Sequence, residues 1–107
     1  MDTENWMVQV RKGLLEFAVL NALKEKERYG YDLAHALVEL PELGLTEGTI
    51  YPLLSRLRLQ DLVQTRLVES TSGPARKYYA LTEKGRGVLL EMNQRLKRLM
   101  KSIVELQ

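Results

Sequence analysis

The hydrophobic positions of this chain fall into several helical stretches and one alternating stretch. Residues 10–26 are apolar nearly all round, with Leu14, Leu15, Phe17, Ala18, Val19, Leu20 and Leu23, which predicts a central buried helix. The polar run from Lys24 to Arg28 ends it. A second helix is predicted over 30–39, with Leu33, Ala34, Leu37 and Val38 on one face. Pro41 and Gly44 then punctuate the chain. Thr46 is the expected N-cap of a third helix running to about Gln60, on which Ile50, Leu53, Leu54 and Leu57 form one stripe. Pro52 leaves the start of that helix open by several residues, because an internal proline removes a donor and favours a kink.

After Asp61 the period changes from 3.6 to 2. The runs Leu62–Val68 and Arg76–Leu81 are strand candidates rich in β-branched and aromatic residues, and Glu69–Ala75 between them is a turn-rich tip. Thr82 is placed to cap a last helix, with Glu83 near its positive end. There Leu89, Met92, Leu96, Leu99, Ile103 and Leu106 are spaced 3, 4, 3, 4 and 3 apart, an a/d seam. A helix from Glu83 to near Gln107 would be roughly 37 Å long. A domain of ~80 residues is only about 25–30 Å across, so one end should overhang. An overhanging apolar seam calls for a partner, most simply another copy of itself. A terminal helix folded back on its own core is the competing arrangement; the persistence of the seam almost to the last residue favours the dimer.

The third helix is unusual on its other side. Gly48, Thr49, Tyr51, Pro52, Ser55 and Arg56 face away from the apolar stripe. Glycine, hydroxyls and a cation pack poorly but suit a surface that approaches polynucleotide backbone and base edges. Charge supports this weakly: residues 1–43 carry 5 basic and 8 acidic side chains, whereas residues 44–107 carry 11 and 6.

With 107 residues, 45% of them hydrophobic and 28% charged, the chain suits one folded domain. No apolar run approaches the ~18 residues of a membrane span, and the acidic start, with Asp2 and Glu4, is unlike a signal peptide. The absence of cysteine excludes disulfides, thiolate catalysis and Cys-ligated zinc, and fits a cytoplasmic setting. His35 is the only histidine and has no second ligand, so no metal is expected. No catalytic grouping, P-loop or paired carboxylates stand out, so neither enzyme activity nor a cofactor is expected.

Three helices, a hairpin and a long final helix describe a mainly α fold with a small two-stranded β wing. This is a winged helix-turn-helix carrying a C-terminal dimerisation helix. The residues also resemble a known family. The segments Leu14-Leu15-Glu16-Phe17-x-Val19-Leu20, Tyr29-Gly30-Tyr31-x-Leu33, Leu45-Thr46-Glu47-Gly48-Thr49-Ile50-Tyr51-Pro52-Leu53-Leu54-x-x-Leu57 and Gly73-Pro74-x-Arg76-Lys77-Tyr78-Tyr79-x-Leu81-Thr82-x-x-Gly85 are similar to PadR-type transcriptional regulators over about residues 12–87. The single terminal helix resembles the short subfamily, whose dimer is built from that helix and the N-terminal segment. The resemblance implies a homodimeric repressor that binds a palindromic operator in double-stranded DNA and is released by a small-molecule or stress signal. Residues 1–82 would be the DNA-binding unit, with 1–10 as dimer contacts, and residues 83–107 the dimerisation helix.

In such a dimer the third helices would enter successive major grooves about 34 Å apart. Gly48 would admit close backbone approach, Thr49, Tyr51 and Ser55 would donate to phosphates or bases, and Arg56 would form a phosphate salt link. Gly73 and Pro74 would make a slim wing tip, with Arg76 and Lys77 placing cations at the minor groove. Arg11 and Lys12 stand at the start of the first long helix, where the dipole disfavours cations; a nearby phosphate would offset that cost, and solvent screening is the alternative. Two readings stand for Tyr51, which either packs on the second helix or faces DNA. Of Tyr29 and Tyr31, at least one is expected in the core and the other at a phosphate. Tyr78 and Tyr79 alternate, one buried and one exposed.

Trp6, Met7 and Val10 are expected to clamp the partner's terminal helix, whose seam runs from Leu89 to Leu106. Some short PadR-type proteins stack flat drugs between tryptophans of that helix. This chain has a single tryptophan, Trp6, so an aromatic sandwich is not expected, while a small hydrophobic or aromatic effector beside Met92, Leu96 and Met100 would fit. A winged-helix protein-interaction module without DNA binding is the alternative; Gly-Pro followed by Arg-Lys beside a hydroxyl-rich helix argues against it.

Overall fold

The computed structural model describes residues 1–107, and the polypeptide runs through five α-helices and three strands. α1 spans Thr3–Lys12, α2 Leu15–Ala22, β1 Arg28–Tyr29, α3 Gly30–Val38, α4 Glu47–Leu59, β2 Val63–Ser70, β3 Gly73–Leu81 and α5 Glu83–Glu105, with a 3-10 turn at Pro41–Leu43 before α4.

The long first helix expected over 10–26 is instead two helices. The Asp2 carboxylate accepts from the amides of Glu4 and Asn5, which starts α1 well before the apolar run. Gly13 and Leu14 break the ladder: their amides bond to Val10 and Arg11, three residues back. α2 ends at Ala22, whose carbonyl accepts from Arg28 Nε at 2.7 Å. Arg11 and Lys12 therefore stand in the last turn of α1, not at the start of a helix. The helix dipole favours cations there, which removes the argument that they need a phosphate.

α4 begins directly after Thr46 and contains Pro52 in its sixth position. The missing N–H would have bonded to Gly48, and both residues are exposed, so the ring lies outside the core. Ile50, Leu53, Leu54 and Leu57 are all buried, as their spacing predicts. With Val19, Leu20, Leu23, Leu33, Ala34 and Leu37 they form the centre of one core, which β2, β3 and α5 close with Val63, Leu81 and Leu89. Val38, expected on the buried face of α3, is 37% exposed in its last turn.

The sheet has three strands in the order β1-β3-β2, all antiparallel, where a two-stranded hairpin was expected. Tyr29 lies opposite Tyr78, and Tyr78 opposite Arg66. The strands are longer than their alternation indicates: Ser70 pairs with Gly73, leaving Thr71 and Ser72 as the tip. Gly73 and Pro74 thus begin β3, where a bulge after Val68 absorbs the register shift.

At the other end of β3, Thr82 caps α5 by accepting from the Gly85 amide, while its hydroxyl donates to the Asp61 carbonyl at 2.6 Å. No helix is long and apolar enough to cross a membrane. The molecule measures 58 × 31 × 21 Å, its length owed to α5, which at 23 residues is roughly 35 Å long.

Candidate nucleic-acid interface

α3 and α4 form a helix-turn-helix, joined by the 3-10 turn and by Gly44, whose φ of +61° suits glycine. With the apolar stripe of α4 inward, Gly48, Thr49, Tyr51, Pro52 and Ser55 are exposed. Thr46 Oγ1 and Thr49 Oγ1 lie 3.1 Å apart at the start of the helix. Tyr51 is 40% exposed, so of its two readings the structure favours the solvent-facing one.

Aromatic rings join α3 to the wing. Tyr31, 57% exposed in the first turn of α3, has its ring centroid 6.1 Å from that of Tyr29. Tyr29 lies 5.8 Å from Tyr78, and the Arg76 guanidinium stands 5.1 Å over the Tyr29 ring. Across β3, Arg66 covers Tyr78 at 5.4 Å and is bound by both carboxylate oxygens of Glu27. The Arg66 hydrogen bond holds the Glu27 carboxyl below the ordinary carboxylate range. Tyr78 and Tyr79 are both half-buried, where one was expected buried and the other exposed; Tyr29 is half-buried too, and Tyr79, on the opposite face of β3 from Tyr78, packs against the core. Desolvation, then Glu47 and the neighbouring Tyr29 and Tyr31, push the Tyr51 phenol above its ordinary value. Burial followed by Tyr51 does the same to Tyr79, with Arg58 pulling the other way. Around neutral pH these phenols remain neutral hydroxyls able to donate.

Gly48, Thr49, Tyr51, Ser55, Tyr31 and Arg76 are all exposed, and the Tyr29 ring lies between Tyr31 and Arg76. Lys77 is exposed on the other face of β3, opposite Leu67, and Gly73 and Pro74 lie beyond it toward the tip. Arg76, Lys77 and Arg58 have no ion-pair partner, and neither does Lys12. Two cations expected on this surface turn elsewhere. Arg56 Nη2 meets Glu16 Oε1 of α2 at 2.6 Å, and Arg11 Nε donates to the Glu42 carbonyl. His35 stacks on Tyr31 and meets Glu39 at 3.0 Å. The sequence did not indicate that Arg66 and Tyr78 lie on one face with Arg76. Residues 66, 76 and 78 point one way only once the register of the hairpin is known.

The expected dimer residues divide. Leu89 is 3% exposed and belongs to the core, so it cannot serve as a free contact; α5 lies against α2 and β3, with its first turn on the Gln60–Leu62 backbone after α4. Met92 packs partly on that core, and Leu96 is half-buried. Beyond them Leu99, Met100, Ile103, Val104 and Leu106 are at least half exposed, a broader apolar face than the seam alone. α1 buries no residue fully; Trp6 is 55% exposed and Val10 half-buried. An open groove of about 260 Å³ lies between the α1–α2 break and α5, lined by Gly13, Leu14, Phe17, Met92, Leu96 and Leu99, with Arg95 beside them.

Comparison with known proteins agrees with this architecture. Residues 19–91 match the model of the transcriptional regulator PadR-like family. A PadR-like transcription factor from Bacteroides fragilis is 39% identical, superposes with a TM-score of 0.80, and the match covers 96% of this chain and 99% of that one. A PadR-like transcriptional regulator from Bacillus cereus is 37% identical, with a TM-score of 0.79 over 92% of this chain and 95% of its own. Bacillus subtilis PadR, solved in complex with operator DNA, is 29% identical with a TM-score of 0.65, over 74% of this chain and 46% of that longer one. The helix-turn-helix, the three-stranded wing and the extended α5 are thus those of relatives similar over almost the whole chain, and this protein belongs to the PadR-like family of transcriptional regulators.

Proposed function

We propose that the protein is a homodimeric repressor that binds a palindromic operator through α4 and the wing. The observation that carries this reading is that the side of α4 turned from the core, Gly48, Thr49, Tyr51 and Ser55, is exposed, while Tyr31, Tyr29 and Arg76 form an aromatic and cationic chain from α3 to the wing. It offers small and hydroxylic groups to a major groove and unpaired cations to the flanking backbone. The Bacillus subtilis relative, solved in complex with operator DNA, supports operator DNA as the partner.

Dimerisation follows from α5. Its second half exposes an apolar face with nothing from the same chain over it, and the largely uncovered α1 leads into the Gly13–Leu14 break that borders α5. A two-fold pairing through this face would set two copies of α4 at the spacing of successive major grooves, about 34 Å. The groove at Phe17, Met92 and Leu96 would accept a small apolar effector, completed by the partner's helix.

Gel shifts with the promoter DNA of the protein's own gene test the reading. Replacing Arg76 and Lys77 by Ala is expected to weaken binding and to flatten the dependence of log affinity on log salt by up to about 1.8, since each lost phosphate contact removes about 0.9. Unchanged affinity and slope in the double variant would remove the wing from the interface.

A further inference from the structure

α1 makes one side-chain hydrogen bond to a distant part of the chain, from Arg11 Nε to the Glu42 carbonyl at 2.6 Å. The same guanidinium lies against Gly44, where a Cβ would sit 3.5 Å from Arg11 Nη1. Glu42 and Gly44 form the turn of the helix-turn-helix, and α4 begins three residues later at Glu47. A second tie holds the other half of α4: Arg56 Nη2 meets Glu16 Oε1 of α2 at 2.6 Å. The recognition helix is thereby fastened near both ends, by charged side chains, to the α1–α2 unit. That unit also borders α5, sharing the groove between Leu14, Phe17, Met92 and Leu96.

A charge-assisted bond to a fixed carbonyl or carboxylate is both strong and directional. Each bond holds the guanidinium of Arg11 or Arg56 in place, so its remaining N–H groups reach a phosphate only where that fixed position allows or where the bond is given up. Lys12 next door is exposed, has no partner and carries no such cost. We infer that Arg11 and the Glu16–Arg56 pair are positioning residues that fix the height and angle of α4 against α1–α2. Because α1–α2 borders the dimerisation helix, these ties set the separation of the two recognition helices. The inference rests on the DNA-binding dimer proposed above and reassigns two cations within it.

Positioning and phosphate binding leave different signatures. A phosphate ligand contributes to every DNA sequence and to the salt slope. A positioning residue contributes to the operator alone and leaves the slope unchanged. Arg11→Lys separates the two, since it keeps the charge but lacks the planar guanidinium and its Nε donor.

The test is fluorescence anisotropy of the full-length protein across a salt series. One duplex carries the promoter DNA of the protein's own gene and the other is scrambled. Arg11→Lys and Glu16→Gln are each expected to lose about three- to fivefold on the promoter duplex, the scale of one solvent-exposed charged contact. Both should bind the scrambled duplex as the wild type does, with an unchanged slope. In the free Arg11→Lys protein, amide resonances of Gly44 and Leu45 should shift while those of the wing stay in place. Wild-type behaviour of Arg11→Lys on both duplexes would overturn the inference. So would tighter binding of Glu16→Gln to both duplexes with a steeper slope, because Arg56 would then be a phosphate ligand held back by Glu16. A wild-type protein that fails to prefer the promoter duplex would bring down the DNA-binding reading and this inference together.

Discussion

Gly85 meets Leu62 so closely that a Cβ at position 85 would lie 2.0 Å from the Leu62 carbonyl oxygen. That oxygen already accepts from the Thr82 amide at 3.1 Å, and Thr82 in turn caps α5. The start of the long helix is thus pressed onto the backbone that leads into the wing. Gly85→Ala is expected to destabilise the fold by about 2–3 kcal/mol, because backbone rather than a flexible side chain must move. For a domain of this size that corresponds to a melting temperature lower by roughly 10–20 °C, measurable by circular dichroism. An unchanged midpoint would show that the contact is easily relaxed.

Tyr51 is 40% exposed on α4 and offers its hydroxyl at the surface. Tyr51→Phe should leave the melting temperature nearly unchanged and weaken operator binding about three- to tenfold, the net worth of one hydrogen bond. Desolvation raises the pKa of this phenol above 10.0. Its donor therefore stays protonated, and the affinity lost in Tyr51→Phe should be the same at pH 6 and pH 9, read by anisotropy titration. A difference between variant and wild type that shrinks toward pH 9 would contradict the assignment.

Arg66 ties the wing to Glu27, whose folded pKa is lowered from 4.5, first by that hydrogen bond. A lowered carboxyl pKa stabilises the folded state fully above the unfolded value, and the contribution is lost as the pH falls through the folded one. The melting temperatures of wild type and Glu27→Gln should therefore differ at neutral pH and converge below pH 4.5. The two groups are exposed, so the difference should also shrink in high salt. Equal midpoints at neutral pH would mean that the pair adds nothing to the wing.

The packing of α4 was legible because Ile50, Leu53, Leu54 and Leu57 keep helical spacing and all face one core. α1 was not: nothing in the single chain buries it, so no apolar stripe marks it, and its start is set by the Asp2 cap. β1 is two residues long, too short for alternation to register, and it exists because β3 offers it an edge. Leu89 keeps the period of the seam but lies where α5 still crosses the body of the protein. Its period alone does not say which partner buries it. The exposed residues of α4 were legible as the reverse of the buried stripe. The destinations of Arg11 and Arg56 were not, since they depend on a carbonyl and a carboxylate 31 and 40 residues away.

The exposed half of α5 predicts its own test. Ile103→Glu places a charge on a face that is 50% exposed in the single chain, so the monomer fold should survive. The dimer should not, because a charge buried at its interface has no partner. Sedimentation at micromolar concentration should show a dimer for the wild type and a folded monomer for the variant. Operator affinity should fall with dimerisation. A variant that remains dimeric would place the interface elsewhere.

Hydroxyl-radical footprinting on the promoter DNA of the protein's own gene addresses the central claim most directly. A dimer that reads DNA with two copies of α4 and the wing predicts two protected half-sites related by a two-fold axis, on one face of the duplex and about one helical turn apart. Protection should survive excess unrelated DNA. A single protected segment without two-fold symmetry, or protection abolished equally by any competitor, would contradict it.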